Sequence, residues 1–207
     1  LMNEISLIDT HCHLNFKELK PRIKTIIKDA KTNHINEMVT ISTNLSKIDA
    51  IKKLSEDNEE IFFTVGVHPN EAHKDQKFDD YEFIKNYSSH SKCVGIGEGG
   101  LDYYYNKEHK NIQKKSLEVQ INVARSTNLP MIIHSRDADN DMIDILNSEY
   151  KNGSFKAILH CFSSGEALAN CGLDLDFFIS FSGILTFNSA KEIQNIAKKI
   201  PLNKILV

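Results

Sequence analysis

Two histidines, His11 and His13, close the apolar run LIDTHCHL between Leu7 and Leu14. Successive side chains on a β-strand point to opposite faces, so residues two positions apart share a face. The two imidazoles are therefore predicted to project together from the end of a strand, where they would form half of a metal site. Cys12 lies between them, is predicted to point the other way and is the poorer ligand candidate.

Comparable side chains follow four later apolar runs, and each is predicted at the downstream end of a strand. They are His68 in VGVHPN, Glu98 in VGIGEGGLDYYY, His134 in PMIIHSRDA and His160 in AILHCFSSG. Imidazole and carboxylate ligands suit zinc, manganese or a similar divalent ion. The four histidines His11, His13, His134 and His160, together with Glu98, exceed the ligands of one tetrahedral zinc. The set therefore predicts two divalent metal ions bridged by Glu98, an arrangement that serves hydrolysis of phosphoesters and amides.

Each of these positions also has an ordinary structural interpretation. A lone histidine at a strand end is more often a surface residue or a satisfied core residue than a ligand. Glu98 could make a salt bridge to a helix, and His68 could pack beside Pro69 in a turn. The combined pattern favours a site, because chance would have to place all these residues at the same end of different strands.

The elements that must position these side chains alternate along the chain. Apolar runs are predicted as strands at 6–13, 37–42, 61–68, 92–98, 130–134, 156–161, 177–181 and 204–207. Amphipathic patterns between them are predicted as helices at 21–32, 46–58, 79–87, 107–128, 139–150, 165–171 and 189–200. The second helix is expected to start on a capping box of Ser46 and Asp49, and the sixth to stop at Gly172.

Eight strands that alternate with seven helices predict an α/β fold, a (β/α)₈ TIM barrel, whose catalytic face collects the carboxyl ends of the strands. A barrel of this type typically needs about 250 residues. The 207 residues end inside the eighth apolar run. We therefore expect residues 1–207 to form a single barrel domain that is incomplete at its C-terminus, without its last loop and helix.

Composition narrows the classes of partner. The net charge is −3, so no global basic field attracts nucleic acid, and any polyanion must be bound through a local feature. No apolar run is long enough for a transmembrane helix, and we expect no membrane partner. Four cysteines without a CxxC pair are typical of a reducing, cytoplasmic setting. The oligomeric state is open, with a monomer as the simplest expectation.

Arg136 follows His134 by two residues. A guanidinium beside a metal centre is suited to phosphate oxygens. Its ordinary alternative is a salt bridge to Asp102, Asp137 or Asp139.

The three tyrosines at 103–105 could stack nucleic-acid bases, with Tyr104 as the candidate substrate contact, or form a structural patch, which is slightly favoured. Asp9 could orient a ligating imidazole or be a structural carboxylate. Cys12 and Cys161 are expected to be core thiols. The glycines of GIGEGG do not match a phosphate-binding loop and are interpreted as room for a close-packed site.

Six segments now support a family resemblance. LIDTHCHL, VGVHPN, GIGEGGLDYYY, PMIIHSRDA, LHCFSSG and FFISFSGILTF, in that order, resemble the TatD-type metal-dependent deoxyribonucleases of the amidohydrolase-like TIM-barrel group. By this resemblance the first metal ligands fall on His11 and His13, the bridging carboxylate on Glu98, and the second-metal histidines on His134 and His160. The family usually reads GEIGLDY where this chain has GEGGLDY, so Gly99 is expected to loosen local packing.

The resemblance implies a divalent-metal-dependent hydrolase that cleaves DNA phosphodiester bonds, most often as a 3′-to-5′ exonuclease using two Mg²⁺, Mn²⁺ or Zn²⁺ ions. Glu98 and Arg136 would act in catalysis, and His68, Arg136 and Tyr104 would contact DNA. It also implies an E-T-D-[SA]-P motif after the eighth strand, whose Asp ligates metal and serves as the base. The sequence stops after KILV, so that residue is expected to be missing.

Two alternatives stay open. The same ligands on this fold support hydrolysis of other esters or amides. The 207 residues could instead be a truncated, catalytically inactive barrel with exposed strand edges.

Overall fold

A computed structural model describes residues 6–207. Its eight strands form one parallel sheet in sequential order, each hydrogen-bonded to the next. The strands are β1 (Leu7–Cys12), β2 (Ile35–Thr40), β3 (Ile61–Val65), β4 (Cys93–Asp102), β5 (Met131–Arg136), β6 (Ala157–Leu159), β7 (Phe178–Ser180) and β8 (Ile205–Leu206). Every predicted strand is present, and the curled α/β sheet confirms the predicted TIM-barrel type. Within the described residues, β1 and β8 are not paired.

Helices connect successive strands, as parallel pairing requires. They are α1 (Ile23–Thr32), α2 (Ile48–Glu56), α3 (Pro69–Ala72), α4 (Tyr81–Ser88), α5 (Lys110–Thr127), α6 (Asp139–Lys151), α7 (Glu166–Asp174) and α8 (Lys191–Ala197). The main core lies between the sheet and its outer helices. It includes the fully buried Phe63, Ile96, Leu117, Met131 and Phe177.

Two predicted helix boundaries are wrong. The segment leading into α2 is capped by Asn44, whose side chain accepts a hydrogen bond from the Ser46 N–H at 2.8 Å, and not by a box of Ser46 and Asp49. Helix α7 continues through Gly172 to Asp174. A Cβ at Gly172 would lie 2.7 Å from Leu159 Cδ1, so this glycine serves close packing of α7 on β6 and does not end the helix.

Strand β4 carries four glycines beside the expected ligand Glu98, and neighbouring backbone or side chains fill the space where a Cβ would lie. A Cβ at Gly100, which has φ +148°, would lie 1.9 Å from the carbonyl oxygen of His134. A Cβ at Gly99 would lie 2.6 Å from the side chain of Met131. The expectation that Gly99 loosens packing is therefore wrong, because Met131 and Gln120 already fill the space. The interpretation of the glycines as room for close packing agrees with this geometry.

Candidate metal centre

Glu98 lies at the middle of the candidate site. Its side chain projects from β4, and its backbone N–H donates to the carbonyl of Ser42 at 3.0 Å. The residue is only 4% exposed. One carboxylate oxygen, Oε2, lies 3.2 Å from His11 Nε2. The other, Oε1, lies 3.2 Å from His134 Nδ1 and 3.7 Å from His68 Nε2.

These contacts divide the site into two groups that share Glu98. Group A is His11, His13 and Glu98, and group B is His68, Glu98 and His134. In each group one ligand atom per residue lies within 4.8 Å of the others, the spacing expected around one ion. Among the described residues these are the only such groups of three. The sequence-predicted residues from β1, β4 and β5 are thus brought together.

Group A contains a nitrogen without a partner. His13 Nδ1 is buried and forms no hydrogen bond in the structure, while its ring stacks on Phe16 at 5.0 Å. Burial, reinforced by the nearby His11, lowers the pKa of His13, so the neutral ring with a free lone pair is favoured. A buried polar atom without a partner costs free energy that a bound ion would recover. The donor set of group A therefore suits a divalent cation.

His160 lies beside group A and outside both groups. It follows β6 by one residue, and its backbone N–H donates to the Ile133 carbonyl at 2.8 Å. Its ring stacks face to face on His11, with centroids 3.4 Å apart and planes within 3°. Burial and the neighbouring His11 lower its pKa to about 4. His160 therefore lies in the site as a neutral ring, although its expected place among the ligands of the second ion is not reproduced by the grouping.

His68 belongs to group B by position. It lies three residues beyond the end of β3 and caps α3, accepting a hydrogen bond at Nδ1 from the Asn70 N–H at 3.1 Å. Burial lowers its pKa to about 4, so the ring is neutral. A neutral imidazole that accepts at Nδ1 carries its proton on Nε2. That N–H faces the Glu98 carboxylate, which makes His68 a hydrogen-bond donor in the pocket.

His134 lies between two carboxylates. Its Nδ1 faces Glu98, and its Nε2 lies 3.2 Å from Asp102 Oδ2. Burial disfavours the charged ring, but the hydrogen bonds to Asp102 and Glu98 outweigh it and raise the pKa of His134 to about 9. Burial likewise opposes the charge of Glu98, yet hydrogen bonds from His11 and His134 hold its pKa well below the usual range.

Asp102 is the residue whose role sequence reasoning missed. The sequence suggests only an ion pair between this carboxylate and Arg136. Burial opposes its ionisation, but hydrogen bonds from His134, the Tyr105 amide and Asn70 lower its pKa to about 2. Its position two residues before Tyr104, at the end of the same strand as Glu98, was the available signal.

Arg136 lines the same cleft as the two groups. Its guanidinium lies 4.0 Å from the ring centre of Tyr104 and 4.9 Å from that of Tyr105. Among residues 6–207 it forms no ion pair, so the alternative of a salt bridge to Asp102, Asp137 or Asp139 is wrong. Tyr104 and Tyr105 are 59% and 61% exposed, whereas Tyr103 is buried.

Three other predicted roles can be compared with the structure. Asp9 accepts a hydrogen bond from the backbone N–H of His11 at 3.1 Å and so fixes the strand end, not an imidazole. Cys12 is partly buried and donates to the Val39 carbonyl at 3.3 Å. Cys161 is no core thiol: it lines the cleft, with its sulfur 2.9 Å from Ser182 Oγ.

The two groups form the floor of a cleft of about 1060 Å³. Phe16, Lys47, Arg136, Ser163 and Ile184 contribute to its walls. The histidines and the carboxylate at the base of this cleft can hold divalent ions within reach of a bound substrate.

Comparison with known proteins identifies the family. The model of the family described as "TatD related DNase" matches residues 8–207. This chain belongs to the TatD-related DNase family. It is 35% identical over 201 residues to the uncharacterized metal-dependent hydrolase YabD of Bacillus subtilis, covering 97% of this chain and 78% of that protein. It is 33% identical to the uncharacterized metal-dependent hydrolase YcfH of Escherichia coli K12, covering 97% of this chain and 76% of YcfH.

A solved TatD homologue confirms the fold. The structure of YJJV from Escherichia coli superimposes with a TM-score of 0.88 at 23% identity, covering 97% of this chain and 77% of that chain. The chain is accordingly a metal-dependent hydrolase of the TatD family with a TIM-barrel-like fold. Among the described residues, no helix combines the length and apolar character needed to cross a membrane.

Proposed function

We propose that this TatD-family hydrolase is a deoxyribonuclease that cleaves DNA phosphodiester bonds, acting from the 3′ end. The observation that carries the proposal is the position of Arg136. Its guanidinium, which has no carboxylate partner among the described residues, lines the cleft that holds both metal-ligand groups and also lies against two exposed tyrosine rings. This arrangement supports a site for phosphate and a surface for a base beside the metal-ligand groups.

Two divalent ions, Mg²⁺, Mn²⁺ or Zn²⁺, would be held by the two groups. His11, His13 and Glu98 would hold one, and Glu98 and His134 the other, with His160 in reach beside His11. When bound, such ions polarise a phosphate and lower the pKa of a coordinated water. The ions would also make the pocket positive, which accounts for polyanion binding by a chain of net charge −3.

The remaining polar side chains have roles that follow from their protonation. The guanidinium of Arg136 can hold two phosphate oxygens with its planar fork of donors. His68 is neutral and presents Nε2–H to the pocket, so it would donate a hydrogen bond to a phosphoryl oxygen. Its backbone cap on Asn70 keeps the ring in this orientation. Tyr104 would stack on the base that neighbours the bound phosphate.

The nuclease assignment is tested by incubating the protein with 3′-labelled and 5′-labelled oligodeoxynucleotides and Mg²⁺ or Mn²⁺. We expect release of mononucleotides from the 3′ end, and no release when a chelator is present. The matched control is Arg136→Ala, for which metal content should be unchanged and DNA hydrolysis should fall. Intact DNA with either metal, in a protein that binds the metal, contradicts the nuclease assignment. Hydrolysis of a carboxylic ester or amide under those conditions would favour the alternative class.

A further inference from the structure

One buried carboxylate joins the metal-ligand group to the exposed tyrosines. Asp102 ends β4 and is 1% exposed. Its Oδ2 accepts a hydrogen bond from Asn70 Nδ2 at 3.0 Å and lies 3.2 Å from His134 Nε2. Its Oδ1 accepts hydrogen bonds from the backbone N–H groups of Tyr104 and Tyr105, both at 3.1 Å. One oxygen therefore contacts the ligand candidate His134, and the other holds the backbone of the tyrosine turn.

The contact with His134 decides which ring nitrogen is available. An ionised carboxylate can only accept hydrogen bonds, so Nε2 of His134 must be the donor towards Asp102. Nδ1, which faces Glu98 Oε1 at 3.2 Å, is then the nitrogen that is left to give up its proton and bind a metal ion. Hydrogen bonds of this kind orient ligating histidines in metal sites in general.

The second contact orients the tyrosine turn. The two amides bound to Oδ1 fix the backbone that carries the rings of Tyr104 and Tyr105, and Arg136 lies over both rings. Asn106 extends the network, donating from Nδ2 to Asn70 Oδ1 at 2.7 Å. The ligand group and the aromatic pair are thereby held at a fixed spacing through one side chain.

The backbone of Asp102 is held independently of its carboxylate. Its N–H donates to Gln113 Oε1 at 2.8 Å, and its carbonyl accepts from Gln113 Nε2 at 3.0 Å. A change confined to the side chain should therefore leave the end of β4 in place. An amide in place of this carboxylate has one acceptor oxygen, so it cannot serve the tyrosine amides and the pair of His134 and Asn70 together.

We propose that Asp102 is a positioning residue that fixes the Nε2–H tautomer of His134 and, with its other oxygen, the Tyr104–Tyr105 turn. The inference rests on the proposed function, since it takes His134 as a metal ligand and Tyr104 as a DNA contact. It adds a coupling between them: disturbing the carboxylate weakens metal binding and substrate binding together.

The test compares Asp102→Asn with wild type and with Asp141→Asn as the matched control. Asp141 is a nearby carboxylate that accepts from Tyr103 Oη at 2.6 Å and pairs with Lys114, outside the network. Titration calorimetry with Mn²⁺ should show affinity about 10- to 100-fold weaker in Asp102→Asn, the range for such partners of metal ligands. KM for an oligodeoxynucleotide should rise as well. In Asp141→Asn, both the Mn²⁺ affinity and KM should stay within about twofold of wild type, because Asp141 lies outside the hydrogen bonds of Asp102.

A double-mutant cycle separates positioning from general damage to the fold. Tyr104→Ala should raise KM in wild type, and its effect should shrink in the Asp102→Asn background, because the ring is no longer held. Unchanged Mn²⁺ affinity, or full additivity of the two substitutions in KM, would overturn the proposal. If Asp102→Asn does not fold, Asn70→Leu replaces it. Loss of the donor to Oδ2 should weaken Mn²⁺ binding, because the carboxylate that orients His134 is held less firmly, and unchanged affinity would overturn the proposal.

Failure of the proposed function gives a different result. If the wild-type protein binds Mn²⁺ but leaves DNA intact, the nuclease assignment is contradicted. The effect of Asp102 on His134 is then tested by the Mn²⁺ affinity of Asp102→Asn alone. Wild-type protein that binds no Mn²⁺ overturns both.

Discussion

Groups A and B share Glu98 but are supported differently. In group B, His68 is fixed by the Asn70 amide and His134 by Asp102, so both rings have hydrogen-bond partners on their far sides. In group A, His13 Nδ1 has no hydrogen-bond partner within residues 6–207, and the ring of His11 stacks on that of His160. Group B is thus pre-organised by hydrogen bonds from the protein, whereas the histidines of group A have less support of this kind. Two ion positions beside one carboxylate are therefore expected to differ in affinity and in pH response.

The largest effect is expected where the groups meet. Glu98→Gln removes the shared negative charge, and both groups should lose their ions. Bound metal ions stabilise the transition state by several kcal/mol. Because each 1.36 kcal/mol of activation free energy changes the rate tenfold, the rate of hydrolysis should fall on the order of a thousandfold. Mn²⁺ titration and a DNA hydrolysis assay check this, with Glu71→Gln, which lines the same cleft, as the control. Retention of both ions would show that Glu98 is no bridging ligand.

Stability against pH distinguishes the two kinds of histidine in metal-free protein. His134 has a raised pKa, about 9, so its contribution is complete below pH 6.5 and is lost as the pH rises through 9. His68 and His160 have pKa values lowered to about 4, so below pH 6.5 the unfolded chain binds protons that the folded chain does not. Stability should therefore peak near pH 6.5, with each limb changing by about 1.4 kcal/mol per pH unit and per group.

Denaturant unfolding in the presence of a chelator, from pH 5 to pH 9, measures both limbs. In the His134→Gln variant, the free energy of unfolding should no longer fall as the pH rises above 6.5. In His160→Gln, it should fall less steeply as the pH drops below 6.5. A wild-type protein of constant stability between pH 6.5 and pH 9 would contradict the contacts assigned to His134.

Substitutions on either side of Glu98 should remove different ions. His13→Gln is expected to remove the ion of group A and leave that of group B, and His134→Gln the reverse. Affinity for the ion that is lost should fall by at least about 10- to 100-fold, since a direct ligand contributes no less than its supporting partners. Mn²⁺ stoichiometry by calorimetry checks this. Loss of both ions in both variants would mean that the groups form one inseparable site.

The smallest effect is expected at the aromatic pair. Tyr104→Ala should raise KM for an oligodeoxynucleotide about tenfold, because stacking on one base contributes about 1–3 kcal/mol. Tyr104→Phe keeps the ring and should be close to wild type. Equal values for all three proteins would restrict Tyr104 to a structural role beside Arg136.

The placement of His11, His13 and Glu98 at one end of the sheet could be predicted, because each of these residues closes an apolar run. The strand order then brings the ends of those runs together. Alternation within a strand was less reliable: on β4, pairing with β5 is irregular between Ile96 and Gly99, and Gly97 has φ +126°. Simple parity therefore does not describe how Glu98 reaches the pocket.

Contacts that depend on partners distant in sequence could not be predicted. Asp102 acquires its role from Asn70 and His134, each 32 residues away along the chain. The stacking of His160 on His11 joins the ends of β1 and β6, and no local pattern encodes it. Gly172 matched a helix stop in sequence but is required where α7 packs on Leu159.

The measurement that tests the central claim most directly is anomalous diffraction from crystals grown with Mn²⁺. We expect two anomalous peaks flanking the Glu98 carboxylate, one beside His11 and His13 and the other beside Nδ1 of His134. Peaks elsewhere, or a single peak that Glu98 does not contact, would contradict it.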